Sequence, residues 1–206
     1  MADSDVAVKV AIFDLNGTLY NKSSKDEFYK FLCKKKPGRM RYYAQMLYYK
    51  ILLKLHQIRK TEFKENFFNY LDNIPPHQVE KYARQFWEQE YPENFNLELR
   101  DRLDELKQNG VQIFCATGGL ELYVKPLFEM YKIDGLFGTI VRYEDNTYKV
   151  VGLACKDKEK LNRLAKYFNG KPYQIIEAYS DSKEDILNSA DKAFLITNGE
   201  AAPFCE

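Results

Sequence analysis

Cysteine and histidine patterns that bind metal are missing from this sequence. Its four cysteines, Cys33, Cys115, Cys155 and Cys205, stand far apart with no C-x-x-C pair, and its two histidines, His56 and His77, have no cysteine or partner histidine nearby. That spacing argues against a zinc cluster and against a dense disulfide framework, and it fits a reducing compartment. A long apolar run is also missing. The most apolar stretch, Tyr42 to Leu55, is interrupted by Lys50 and Lys54 and is shorter than the roughly 18 to 20 residues that span a bilayer. The start, Met1 to Lys9, carries two aspartates and no apolar region of a secretory signal. A soluble, cytoplasmic chain is expected. Net charge is nearly absent too, a formal +1, so no nucleic-acid partner is expected from the overall balance. The one large local imbalance is an absence of acid. Between Glu27 and Glu62 there is no acidic residue and there are ten basic ones.

What is present is enough for one good core, or a core and a smaller companion, in 206 residues of which 45% are hydrophobic. Lys9 to Phe13 reads as a buried strand that ends at Asp14 and the Asn16-Gly17 turn. From Lys25 to about Tyr91 the texture becomes helical, with aromatics three and four residues apart. Pro37-Gly38, Arg59-Lys60-Thr61 and Ile74-Pro75-Pro76 divide that insert into about four helices. Trp87 and the stripe Tyr42, Tyr43, Met46, Tyr49 are expected in its core.

After Pro92 strands and helices alternate. A helix over Leu97 to Lys107, capped by Asn96 and stopped by Gly110, precedes a strand over Val111 to Ala116. A helix over Leu120 to Tyr131 follows, then a hairpin of Thr139 to Tyr143 and Tyr148 to Leu153 around Asp145-Asn146. The remainder reads as a helix over Lys158 to Phe168, a strand over Gln174 to Tyr179, a short helix near Glu184 to Ser189 and a last strand over Ala193 to Thr197. This order predicts an α/β fold with a doubly wound, mostly parallel, Rossmann-like sheet and an inserted all-helical domain. The expected division is a core of 1–20 and 92–206 and a helical cap of 21–91.

Three polar clusters follow predicted strands, where such a sheet gathers its site. They are Asp14-Leu15-Asn16-Gly17-Thr18-Leu19, Thr117-Gly118-Gly119, and Ser180-Asp181-Ser182-Lys183-Glu184-Asp185. With a lysine between the second and third, they resemble the four ordered motifs of the haloacid dehalogenase superfamily. The helical insert after the first motif resembles its phosphoserine phosphatase-like branch. The stretch from Ala154 to Leu161 and Tyr179-Ser180-Asp181-Ser182 look most like bacterial members related to phosphatidylglycerophosphatase.

The resemblance implies a Mg²⁺-dependent phosphomonoester hydrolase, acting on a small phosphate ester or a phospholipid headgroup through an aspartyl phosphate. Asp14 is then the nucleophile. The metal would be held by Asp14, the backbone carbonyl of Asn16 and Asp181, with Asp185 behind them, since hard oxygen donors suit Mg²⁺. Thr117, Gly118 and Gly119 would bind phosphoryl oxygens, and a lysine would neutralise charge. Lys156, Lys158 and Lys160 are all close in sequence, and the family spacing favours Lys160.

One position departs from that pattern. The family places aspartate where Asn16 stands, to protonate the leaving alcohol and then activate water. An amide cannot exchange a proton near neutral pH, so this form is expected to be inactive or very slow. An inactivated version of a working phosphatase is the favoured reading, and a non-catalytic phosphate-ligand binder on the same fold is the alternative. The basic, aromatic stretch between Glu27 and Glu62 adds an anionic membrane surface as a candidate partner, with the chain peripheral to it.

Overall fold

The computed structural model describes residues 7–205. The stretch before Ala7, part of the segment read as lacking a secretory signal, lies outside the described residues. Val8–Phe13 forms strand β1, and its neighbours are fixed by burial on both faces. Val10 and Ile12 face one cluster with Leu164 and Phe168, whereas Ala11 and Phe13 face another with Leu99, Leu103 and Leu106. A strand with no solvent face reads as a continuous apolar run, as this one does.

Between β1 and the next strand of the sheet the chain is mostly helical. Ser24–Lys35 is α1, Tyr42–Lys54 is α2, Lys60–Phe67 is α3 and Pro76–Glu90 is α4, with short 3₁₀ turns at Pro37–Arg41 and Asn69–Leu71. Trp87 and Met46 are buried as expected, and Tyr42 and Tyr49 pack partly against the core. Tyr43 is exposed, which corrects its place in the expected core stripe. The insert is anchored on the sheet domain through aromatics. Phe28 stacks on Tyr123 with ring centres 5.0 Å apart, and the Trp87 indole donates to the Tyr123 carbonyl at 2.6 Å.

Leu97–Gln108 forms α5, and the Asn96 side chain accepts from the Leu99 amide, which caps the helix as the sequence indicates. Then follow β2 (Gln112–Leu120), α6 (Glu121–Met130) and β3 (Gly135–Thr139). β4 (Val141–Glu144) and β5 (Thr147–Val150) make a hairpin whose turn residues Asp145 and Asn146 both have positive φ. α7 (Lys158–Phe168), β6 (Tyr173–Ser180), α8 (Asp185–Asn188), β7 (Lys192–Thr197) and β8 (Glu200–Pro203) complete the chain.

The main sheet runs β3-β2-β1-β6-β7-β8, parallel except for β8. Two expectations are corrected here. The stretch read as one arm of the hairpin, Thr139 to Tyr143, is split between the end of β3 and β4, and the sheet does not end at Thr197. β8 returns antiparallel at the edge, where Pro203 is tolerated because an edge strand leaves one row of amides unused.

One polar tie crosses the layers. Arg102 of α5 donates to both carboxylate oxygens of buried Glu177 in β6, at 3.1 and 2.5 Å, and the Tyr179 hydroxyl donates to the same group at 2.6 Å. Burial pushes the Glu177 carboxyl up, but these hydrogen bonds outweigh it and hold its pKa below the ordinary glutamate value. Removing one partner of a fully buried pair costs about 3–5 kcal/mol. The Arg102 side chain is 35% exposed, so solvent screening reduces that figure. Arg102→Met is expected to destabilise the fold by about 1–2 kcal/mol at pH 7, read by denaturant unfolding. A carboxyl with a depressed folded pKa stabilises above its unfolded pKa and loses that contribution as pH falls through the folded value. The difference between the two proteins should therefore shrink in acid. A difference that stays undiminished as acid protonates Glu177 would contradict an ionic origin.

Candidate active site

The carboxyl ends of β1, β2 and β6 meet at one pocket, as a doubly wound sheet requires. Asp14 follows β1 directly and is buried, with its backbone amide donating to the Tyr179 carbonyl at 2.8 Å. Lys160 lies in the first turn of α7, where helical φ and ψ aim it back at the sheet, and it is 1% exposed. Its ammonium donates to Asp14 Oδ1 at 2.7 Å and also pairs with Glu184. Burial alone would pull the Lys160 pKa down, but the charges of Asp14 and Glu184 outweigh it and hold the ammonium well above its ordinary value. Lys160 is thus charged at any working pH.

Asp181 follows β6 and faces the loop after β1. Gly17 has a φ of 71°, and a Cβ there would stand 2.5 Å from Asp181 Oδ2. Only glycine permits both the left-handed turn and that approach. Loss of solvent at the pocket wall, followed by the charge of Asp14, raises the Asp181 pKa. Two carboxylates that face one pocket form a setting in which a divalent cation is stabilised. Among the described residues no group of three or more His, Cys, Asp or Glu side chains forms a metal cage. A pair of carboxylates completed by water and substrate suits Mg²⁺, which keeps several waters, so the donor set fits that ion.

Thr117 is fully buried near the end of β2, where register with β3 shifts between Ala116 and Leu120. Its Oγ1 accepts from the Gly119 amide at 3.1 Å and from Asn16 Nδ2 at 3.3 Å. Gly118 and Gly119 therefore lie in the irregular end of the strand, just before α6. A Cβ on Gly118 would meet Lys156 Cε at 2.8 Å. Asn16 Oδ1 accepts from the Ser24 amide at 2.7 Å, at the start of α1. Ser24 N can only donate, which fixes the orientation of the Asn16 amide.

The pocket has a volume of about 200 Å³, and Asp14, Asn16, Gly118, Gly119, Lys160 and Asp181 all line it. Thr117 touches it through Asn16 and Gly119. Asp185 is not brought in: it lines a larger neighbouring cavity, and the residue that reaches Lys160 is Glu184. The rest of the lining is Ser182 and Glu184 of the third polar cluster, Lys156, and three residues that the sequence does not single out, Lys25, Lys64 and Tyr123. Lys64 left a usable signal. It shares a helix face with Phe67 and Phe68, three and four residues on, and a lysine on an apolar face calls for a partner.

Residues 11–187 match the family model of haloacid dehalogenase-like hydrolases. The chain belongs to this family. No curated protein matches the sequence. Among solved structures, a protein of unknown function from Bordetella pertussis Tohama I is 17% identical over 91% of this chain and 89% of that one, with a TM-score of 0.77. A phosphoserine phosphohydrolase-like protein from Francisella tularensis is 19% identical over 90% and 86%, with a TM-score of 0.61. A probable phosphoserine phosphatase from Vibrio cholerae is 15% identical over 92% of this chain and 57% of that one, with a TM-score of 0.66. At such identities the structural likeness bears on the fold alone. The Rossmann-like sheet with helices on both faces is the fold of this hydrolase family.

Proposed function

We propose that this haloacid dehalogenase-like hydrolase is built as a Mg²⁺-dependent phosphomonoesterase, and that Asn16 leaves it inactive or very slow as it stands. The observation that carries this reading is the buried Asp14 carboxylate, fixed by Lys160 at 2.7 Å, at the floor of a pocket of about 200 Å³. A phosphoryl group fits in that volume. Asp14 Oδ2, the oxygen not bonded to Lys160, attacks phosphorus, the bond from phosphorus to the alcohol oxygen breaks, and an aspartyl phosphate forms. Lys160 and the amides of Gly118 and Gly119 stabilise charge on the phosphoryl oxygens. Asp14, the carbonyl of Asn16 and Asp181 would hold Mg²⁺, which would screen the repulsion between two anions.

The leaving alkoxide needs a proton, and the water that later frees Asp14 must lose one. Asn16 can do neither. In this reading residues 21–91 act as a cap over a core of 1–20 and 92–206, and the substrate is a small phosphate ester or a phospholipid headgroup. Magnesium-dependent phosphate release from a panel of phosphomonoesters by the Asn16→Asp protein tests the proposal. No release from any ester, with or without metal, would favour the non-catalytic binder.

The partner surface in this reading is an anionic membrane. Tyr43, Leu47 and Ile51 on α2 and Leu55 just after it recur every four residues, and all are exposed. A groove lined by Met40, Tyr43 and Leu47 also holds Lys34, together with Lys30 and Lys50, which pair with Glu27 and Asp26 in the same groove. No helix among the described residues is long and apolar enough to cross a membrane, so the contact would be peripheral. Each Lys or Arg near an anionic surface adds about 1 kcal/mol, and inserted apolar side chains add more. Sedimentation with anionic vesicles at low salt is expected, with little on neutral ones. Lys34→Glu, Lys35→Glu and Lys36→Glu together should weaken it. No binding at any salt would remove the membrane from this reading.

A further inference from the structure

The strand that carries Gly118 is irregular at that point. Ala116 of β2 pairs with Phe137 of β3, and the next pair is Leu120 with Thr139, so a longer stretch of β2 is matched by a shorter one of β3. Thr117, Gly118 and Gly119 make up the resulting bulge. A bulge takes backbone groups out of the ladder, and a glycine has no side chain to hold it in place. Neighbouring groups must set where Gly118 stands.

The Thr139 side chain does this. It is fully buried, and its Oγ1 donates to the Gly118 carbonyl at 3.2 Å and accepts from the Cys155 amide at 3.1 Å. A hydroxyl has one proton to give. Here the proton goes to the bulge and a lone pair goes to the loop before α7. That loop leads directly to Lys160. The Lys156 amide donates to the Ala154 carbonyl at 2.8 Å, and the Glu159 and Lys160 amides donate to the carbonyls of Lys156 and Asp157 at 3.0 and 3.1 Å. This run of short turns carries the position of Cys155 to the ammonium that holds Asp14. Thr139 does not line the pocket, whereas Gly118 and Lys160 both do. Its influence on the pocket must therefore pass through them.

The surroundings keep Thr139 in place. The Cys155 thiol donates to the Phe137 carbonyl at 3.5 Å. Arg163 of α7 donates to the Leu153 carbonyl at 2.9 Å and also to the Gly138 carbonyl, which holds the chain to α7 on both sides of the β4–β5 hairpin. At the other end of that hairpin the buried Tyr148 hydroxyl donates to the Ile74 carbonyl of the insert at 2.7 Å.

We propose that Thr139 is a positioning residue for phosphoryl binding: its hydroxyl fixes the spacing between the Gly118 bulge and the loop that leads to Lys160, and so the width of the pocket between them. This rests on the phosphomonoesterase reading and adds a residue to it. Without the hydroxyl a buried carbonyl and a buried amide both lose their partner, and the two segments shift to find others. A misplacement of about 1 Å in a binding group can cost about 10²-fold.

Isothermal titration of the protein as it stands with orthophosphate and Mg²⁺ reads the effect. Thr139→Val keeps the shape of the side chain and loses the hydroxyl, and it is expected to bind orthophosphate about 10- to 100-fold more weakly. Thr139→Ser keeps the hydroxyl and loses a methyl group, and it is expected to stay within about threefold of the unaltered protein. Mn²⁺ binding without phosphate, followed by loss of the free-ion paramagnetic resonance signal, should be little changed in both, because Asp14 and Asp181 follow β1 and β6 and Thr139 bonds to neither. Where the valine variant does not fold, Thr139→Ala removes the same hydroxyl. Orthophosphate binding undiminished without the hydroxyl would overturn the assignment and leave the phosphomonoesterase standing. A serine variant as weak as the valine variant, or Mn²⁺ affinity that falls in step with phosphate affinity, would reduce Thr139 to packing and overturn it as well. Failure of the unaltered protein to bind orthophosphate would overturn both readings.

Discussion

Asp14→Asn, placed in a protein that also carries Asn16→Asp, is expected to lower phosphate release by about 10³-fold or more, as loss of a covalent nucleophile does elsewhere. The substitution keeps the shape of the side chain and its hydrogen bond to Lys160, so the pocket should survive. What disappears is an anionic oxygen able to form the acyl phosphate. Among the described residues the other acids near the pocket are held elsewhere, and a carboxylate at residue 16 is taken up by the Ser24 amide. Asp181 lies across the loop at Gly17, and Glu184 is paired with Lys160. The decisive measurement combines turnover with acid-stable labelling of the protein by a radioactive phosphate ester. Full turnover without Asp14 would sink the covalent mechanism.

Asn16→Asp alone is expected to raise phosphomonoesterase activity by about 10² to 10⁴, the usual contribution of a positioned general acid and base. The surroundings of residue 16 accept the change. A carboxylate oxygen can still take the hydrogen bond from the Ser24 amide that Asn16 Oδ1 takes at 2.7 Å. Towards Thr117 the sense reverses. Asn16 Nδ2 now donates to Thr117 Oγ1, and an ionised aspartate would accept from that hydroxyl instead. The gain should appear in kcat and carry a bell-shaped pH dependence that the unaltered protein lacks. A chain that already hydrolyses its ester as fast as the variant would show that Asn16 is not the impairment.

Much of this was legible in the sequence because the relevant signals are local. α7 runs over Lys158–Phe168 as its pattern of Leu161, Leu164 and Phe168 indicates, and the hairpin turn follows from Asp145-Asn146. β3 was harder: its apolar pair Leu136 and Phe137 lies between two glycines, too short for a period to register. β8 has four exposed residues and a proline, so nothing in it reads as a core strand. At the site, the residues on strand ends were found because each follows an apolar run. Glu184, which pairs with Lys160, was not singled out beside Asp185, since adjacent acids at the start of a four-residue helix look alike until the backbone sets their directions. Lys25 and Lys64 reach the pocket from the insert, and no local pattern encodes where an insert comes to rest.

The central place of β1 also bears on the order in which the molecule is assembled. Val10 pairs with Gln112 on one side and with Ile175 on the other. A growing chain therefore exposes an apolar segment whose two neighbours are synthesised much later. The helices of the insert join residues near in sequence and can form early, whereas closure of the sheet waits on distant contacts and their loop entropy. Asp14 is synthesised well before Lys160 and Asp181, the two side chains that complete its pocket. A nascent or truncated chain ending before β6 would display a finished helical insert and a bare central strand, with no site at all.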